Sequence, residues 1–166
     1  MTITAEIVAD SVSPQSYRLT TLLLCYNRFI HSEFMTHRVF SRNASSSRAI
    51  PVSKNLEEVR SDALRAAPVY WGAEQKGMQS GGELSTEDLI SEWTKEPVPG
   101  TAPLARAKEI WRDGALQAAY IAERLVEQGV HKSIVNRVLE PFLHIRVVVT
   151  ATEWENFDKL RCHPDA

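Results

Sequence analysis

Residues 36–48 (THRVFSRNASSSR) carry three arginines, a histidine, an asparagine and four serines, and no acid. Little in that run suits an apolar core, but all of it suits an anion. Arginine offers a planar fork of donors to phosphate oxygens, and serine hydroxyls and backbone N–H groups can take the oxygens left over. A solvated polar loop would have a similar composition. The ends of the run argue against filler. It follows the apolar residues Phe34 and Met35 with no Gly/Pro linker, and Ala49-Ile50-Pro51-Val52 closes it.

Other chemistries are excluded or weakened by what is missing. There is no GxGxxG, P-loop, HExxH or GxSxG pattern. Ser46 lies between two other serines with no His/Asp pair in view, which disfavours a hydrolase triad. His31, His37, His131 and His144 stand in unrelated contexts, and no Cys/His spacing suits a metal. Cys25 and Cys162 are far apart and read as inert thiols, which points to a reducing, cytoplasmic compartment. A net charge of −2 over 166 residues disfavours a general nucleic-acid binder. No apolar run approaches the roughly 20 residues of a membrane span. The composition, 43% hydrophobic and 24% charged, is that of one ordinary globular domain.

The elements around the run must position it. Loose alternation predicts a strand over 2–8, and Ser13-Pro14-Gln15-Ser16 a turn. The apolar run 19–26 predicts a buried strand, and 28–35 a helix capped by Asn27. Cations such as His37 and Arg38 near that helix's end would complement its dipole. A second helix is predicted over 55–67. Residues 69–103 read as an irregular, insertion-like segment in which 86–96 could form a short helix. The clearest helix is 104–128, with an Ala-rich stripe for close packing and Gly129 as terminator. Helix 132–139 ends before Pro141, a strand follows over 145–149, and a last helix spans 154–160. The stop at His163-Pro164-Asp165-Ala166, with no capping or closing element, suggests a truncated piece. Composition and spacing alone reach as far as a site for a phosphorylated small molecule.

Two blocks carry a resemblance. His37-Arg38, seven residues, then Ser46 reproduces most of the Arg-His-Arg-x7-Ser signature of flavin-dependent thymidylate synthases. The continuation through Arg48, Ala49, Ile50 and Pro51 resembles the phage and actinobacterial-type members. The second block is His131 to Pro141, followed by a strand and by residues 150–161 (TATEWENFDKLR). Both stand in the family's order, and the match covers most of residues 17–166.

The resemblance implies an α/β (α+β) fold, a mixed sheet flanked by helices, in a single domain that assembles as a homotetramer with sites at subunit interfaces. It implies FAD as cofactor, NADPH and methylenetetrahydrofolate as co-substrates, and conversion of dUMP to dTMP without a cysteine nucleophile. Thr36, His37, Arg38 and Asn156 fall on flavin-contacting positions, as does one of Thr150 and Thr152. Glu33, Ser45, Ser46, Ser47, Arg48, Arg137 and Arg161 fall on the dUMP side. Arg161 and Ser46 are the implied catalytic positions: the guanidinium polarises the uracil ring and the serine positions the substrate. No metal is implied. Two departures stand out. Thr36 replaces the motif's first arginine, and Ala44 stands where many members have glutamate. The alternative is a non-catalytic dUMP-binding remnant of the same fold, and an RNA-binding loop protein is the more distant one.

Overall fold

The computed structural model describes residues 3–77 and 79–161, without the side chains of Leu160 and Arg161. Four strands form one sheet in the order β1 (Thr4–Val12), β2 (Arg18–Asn27), β4 (His144–Ala151), β3 (Ser41–Ala44). Helices α2 (Val52–Ser61), α3 (Pro103–Glu127) and α4 (Lys132–Leu139) pack together as a bundle. The class is mixed α and β, as the resemblance implies. The sheet differs in detail, since each of its strand pairings is antiparallel.

β4 shows why the sheet has a buried side. Its residues alternate, with Ile145, Val147, Val149 and Ala151 buried and the intervening side chains more exposed. That face collects Tyr26, Phe40, Phe34, Trp154 and Phe157 into one apolar cluster. β1 is exposed along its whole length. Its ladder with β2, rather than burial, holds it to Val12, beyond the predicted end at residue 8.

The second cluster is helical. Ala115, Ala118, Ala119 and Ala122 form the buried stripe of α3 and let Val59, Val135 and Leu139 approach closely. Fully burying a side chain such as Leu139 is worth about 1.5–3 kcal/mol. α3 ends where Val130 N–H reaches Leu125 O (3.0 Å) and Gly129 N–H reaches Val126 O (2.9 Å), with Gly129 at φ 75°. That geometry needs glycine. His131 Nδ1 then accepts from Ser133 N–H (3.3 Å) and opens α4.

Several boundaries differ from the sequence pattern. The helix predicted over 28–35 is a 3-10 turn, Arg28–Ile30, followed by one turn of helix, α1 (His31–Phe34). Asn27 does not cap it, because its amide instead donates to Ala67 O (2.9 Å). α2 starts three residues before the predicted 55 and stops at Ser61, where Asp62 leaves the helical conformation. Residues 86–96 form no helix, and Ile90 and Pro97 make a bridge there instead. The segment nonetheless packs, with Trp71 edge-on to Trp111 at 5.9 Å. The last helix, α5, runs Glu155–Arg161. Among the described residues no helix is long and apolar enough to cross a membrane.

Candidate functional site

The basic run is not one loop. Residues 35–40 make a turn, Ser41–Ala44 form β3, and 45–50 make a second turn. Nothing in the sequence Ser-Arg-Asn-Ala favours a strand by type. It extends because β4 offers an unpaired edge and because Phe40 and Ala44 gain burial at its two ends.

On the Phe40 side, the His37 ring meets Phe157 edge-on at 5.1 Å and lies 6.4 Å from Phe34 and 6.1 Å from Phe40. Phe40 in turn lies 4.7 Å from Trp154. This packing ties the His37 turn to α5, on which exposed Asn156 precedes Phe157. Arg42 is spent here as a fastener: its Nη1 donates to Phe34 O (3.1 Å) and His37 O (2.6 Å), closing the end of α1. Arg38 is exposed and makes no hydrogen bond or ion pair among the described residues. Thr36 Oγ1 donates to Glu33 O (2.6 Å), and the Glu33 carboxylate accepts from Ser32 Oγ (2.9 Å).

Thr150 and Thr152 are separated by the sheet itself. Thr150 shares a 2.9 Å hydroxyl–hydroxyl bond with Thr21 and belongs to the face opposite the Phe40 cluster. Thr152 follows the end of β4 and is exposed.

On the serine side, Ser45 continues the pairing beyond β3. Its N–H donates to Arg146 O (2.9 Å), and its hydroxyl accepts from Arg146 N–H (3.2 Å). The Asn136 amide of α4, fully buried, donates to Ser47 O (2.7 Å) and Ile50 O (2.9 Å). Ser47 is thereby buried, while Ser46 and Arg48 remain exposed. Exposed Arg137 follows Asn136 on the same helix, so α4 supplies both the fastener and an adjacent cation. A second tie is Arg28, which donates to Ser45 O (3.4 Å) and pairs with Glu140 at 3.2 Å. Ser46 Oγ accepts from Arg48 N–H (3.3 Å), and no histidine or carboxylate bonds to it among the described residues. It can orient a ligand but is not set up as a nucleophile.

β3 divides the run 36–48 into two turns. At about 3.3 Å per residue, the strand holds the His37 turn and the serine turn roughly 10 Å apart within one protomer. Arg161 closes α5, and its side chain lies outside the described residues, as do Cys162 and the four residues after it.

Three features escaped the sequence reading: the Asn136 fastener, the consumption of Arg42, and a pair beside them. Tyr26 Oη lies 2.8 Å from His31 Nδ1. Burial pushes the Tyr26 phenol up to about 12, so it stays protonated. His31 is held below its ordinary value by burial and by Arg28 and Arg42. Cys25 is buried and its thiol is pushed up by burial, the opposite of an activated nucleophile. No group of three or more His, Cys, Asp or Glu among the described residues could hold a metal.

Among solved structures, the chain resembles a UMP/dUMP methylase, PolB from Streptomyces cacaoi, bound with 5-Br UMP. The TM-score is 0.55 at 16% identity, covering 90% of this chain and 71% of that chain. The same methylase bound with 5-Br dUMP gives a TM-score of 0.51 at 16% identity, covering 90% and 73%. At that identity the likeness establishes the fold. No family model matches the chain, and no match was found among the curated proteins.

Proposed function

We propose that this protein methylates dUMP to dTMP, and that the serine turn and α4 together hold the nucleotide. The observation that carries the reading is the Asn136 amide, which fastens Ser47 and Ile50 to the helix bearing Arg137. Two cations, Arg48 and Arg137, and the Ser46 hydroxyl are left exposed on a braced backbone, a donor set suited to a phosphate monoester. The shared fold with a UMP/dUMP methylase supports the choice of base.

The cofactor in this reading is FAD. The residues on the His37 side fit such a group: an unpaired Arg38 cation for a pyrophosphate, the exposed Asn156 amide, and an aromatic ring beside them. Thr152 is better placed to reach it than Thr150, whose hydroxyl is engaged with Thr21. When bound, the flavin would supply hydride chemistry, with NADPH as reductant and methylenetetrahydrofolate as carbon donor. Per turnover the C5 hydrogen of dUMP leaves as a proton and a methyl group replaces it, its carbon given up by methylenetetrahydrofolate, which leaves as tetrahydrofolate, and the two reducing electrons come from NADPH, which leaves as NADP+. The chain's own residues orient and polarise. Arg48 and Arg137 neutralise the phosphate, Ser46 fixes register, and Arg161 stabilises negative charge on the uracil ring. The buried thiol of Cys25 agrees with a route that needs no cysteine attack.

In this reading, as the resemblance implies, the complete site lies at the subunit interfaces of a homotetramer. The alternative, a nucleotide-binding remnant, is favoured by one observation: Thr36 brings no cation and spends its hydroxyl on Glu33 O. Tritium release from 5-tritiated dUMP, measured with FAD, NADPH and methylenetetrahydrofolate, separates the two. Release supports the synthase. Calorimetric dUMP binding without release or flavin binding selects the remnant.

A further inference from the structure

Next to the serine turn lies a cavity of about 290 Å³, lined by Arg28, Phe29, His31, Glu140 and Pro141. Two of its walls belong to the elements assigned to the nucleotide. α4 ends at Leu139 and a 3-10 turn, Glu140–Phe142, continues it. Glu140 and Pro141 therefore follow Arg137 by three and four residues, the spacing that makes neighbours on a helix face. Arg28 bridges to the other wall. Its Nη2 lies 3.2 Å from Glu140 Oε1, and its Nη1 donates to Ser45 O at 3.4 Å. At about 1.5 Å per residue, the cavity begins roughly 5 Å along the axis from Arg137. A sugar lies that close to its own phosphate.

The polar group still open in this cavity is His31. Its Nδ1 is engaged by Tyr26 Oη at 2.8 Å, which fixes the ring, and Nε2 has no partner among the described residues. A hydroxyl both donates and accepts, so it can bond to Nε2 whichever ring nitrogen carries the proton. Small-molecule pockets run from roughly 300 to 1,000 Å³, so this volume suits one part of a nucleotide rather than the whole. Rejecting an added hydroxyl takes a side chain in its path or a burial that leaves it unpaired. The cavity imposes neither, because no side chain fills it and His31 offers a partner.

We propose that the sugar of the nucleotide enters this cavity and that His31 holds its 2′-hydroxyl, so that the site takes UMP as well as dUMP. The inference rests on the nucleotide reading of the serine turn and widens its substrate to uridine monophosphates of either sugar. His31 Nε2 bonds the hydroxyl, Tyr26 holds the ring in place, and the Arg28–Glu140 pair ties the cavity wall to Ser45. His31 thus touches the one atom that distinguishes the two sugars.

Calorimetry of UMP and dUMP with the full chain tests this. The wild type should bind UMP at least as tightly as dUMP. His31→Phe keeps a ring and removes the nitrogen, and should weaken UMP by about tenfold more than dUMP, the worth of one hydrogen bond. His31→Gln, which restores a polar end, should recover part of that difference. The wild-type comparison needs no variant, so a poorly folded His31→Phe cannot hide the answer. A wild type that binds dUMP but not UMP, or equal losses for both nucleotides in a folded His31→Phe, would overturn the inference alone. A wild type that binds neither would overturn the nucleotide reading of the serine turn and this inference with it.

Discussion

The amide nitrogen of Asn136 lies 2.7 Å from the carbonyl oxygen of Ser47, a bond that joins positions 89 residues apart. It converts a polar turn into a fixed part of α4. The same amide also reaches Ile50 O, so one side chain sets the turn's two ends. Asn136→Ala leaves two carbonyls without their donor in a buried place, which costs about 2–3 kcal/mol of stability. Urea denaturation should show that loss, and dUMP affinity should fall with it because the turn loosens.

Arg48 and Arg137 are predicted to behave differently. Both are exposed, and neither is paired among the described residues. Arg48→Ala and Arg137→Ala should therefore leave the denaturation midpoint nearly unchanged. Each should weaken dUMP binding by about tenfold to a hundredfold, the worth of a charge-assisted bond. Calorimetry with deoxyuridine, which has no phosphate, should show almost no effect of either change. Equal losses for dUMP and deoxyuridine would remove both arginines from phosphate binding.

The cationic run contains a structural arginine, Arg42, and an exposed one, Arg38, four positions apart. Arg42→Ala opens two bonds at the end of α1 and should cost about 2 kcal/mol. Flavin retention should drop with it, because the His37 turn loses its anchor. Arg38→Ala should lower flavin affinity at unchanged stability. Thermal melts beside flavin absorbance after gel filtration distinguish the two, and a large stability loss in Arg38→Ala would contradict the assignment.

Stability should fall in mild acid. Burial holds His144 below its usual 6.5, although Glu58 at 4.0 Å works in the opposite direction, and Arg65 lies beyond Glu58. Burial lowers His31 as well, with Arg28 and Arg42 adding to it. For a base whose folded pKa is depressed, the unfolded chain binds the proton first as pH drops. Stability is then complete above 6.5 and declines as pH falls from there through the folded value. Denaturation midpoints at pH 7.5 and 5.0 should show the decline, and His144→Gln should make the dependence shallower. An unchanged slope in that variant would shift the effect to His31.

The parts of the fold that were legible in the sequence share one property, a strong period. The Ala stripe of α3 and the alternating Ile-Arg-Val-Val-Val run of β4 place their own buried faces, and both elements fall within about a turn of where the pattern predicts them. β3 was not legible, because Ser-Arg-Asn-Ala becomes a strand only through the edge of β4. The site divides in the same way. The residue types in 36–48 announce an anion site, but an arginine bound to carbonyls and one left in solvent are written with the same letter, so Arg42 and Arg38 were indistinguishable. Asn136 left one usable signal: a lone amide flanked by Val135 and Leu139, on an eight-residue helix whose apolar side is buried.

Thr36 allows the sharpest test, because there the chain departs from the Arg-His-Arg motif itself. Its side chain is exposed, and its hydroxyl does no more than bond to Glu33 O one turn back. Met35 N–H already reaches His31 O and Thr36 N–H reaches Glu33 O, so the turn's backbone is satisfied without that hydroxyl. Thr36→Arg should thus fold normally and lose no more than about 1 kcal/mol from the missing bond. The added guanidinium would project beside Arg38, on the side assigned to the flavin, and should tighten FAD binding by about tenfold or more. Fluorescence titration of FAD into the wild type and Thr36→Arg reads this directly. If affinity rises and tritium release from dUMP rises with it, the missing cation limits a working synthase. If affinity rises while turnover stays absent, the chain is a nucleotide-binding remnant that has lost more than this arginine. An unchanged affinity would place the flavin away from the His37 turn and overturn that half of the site.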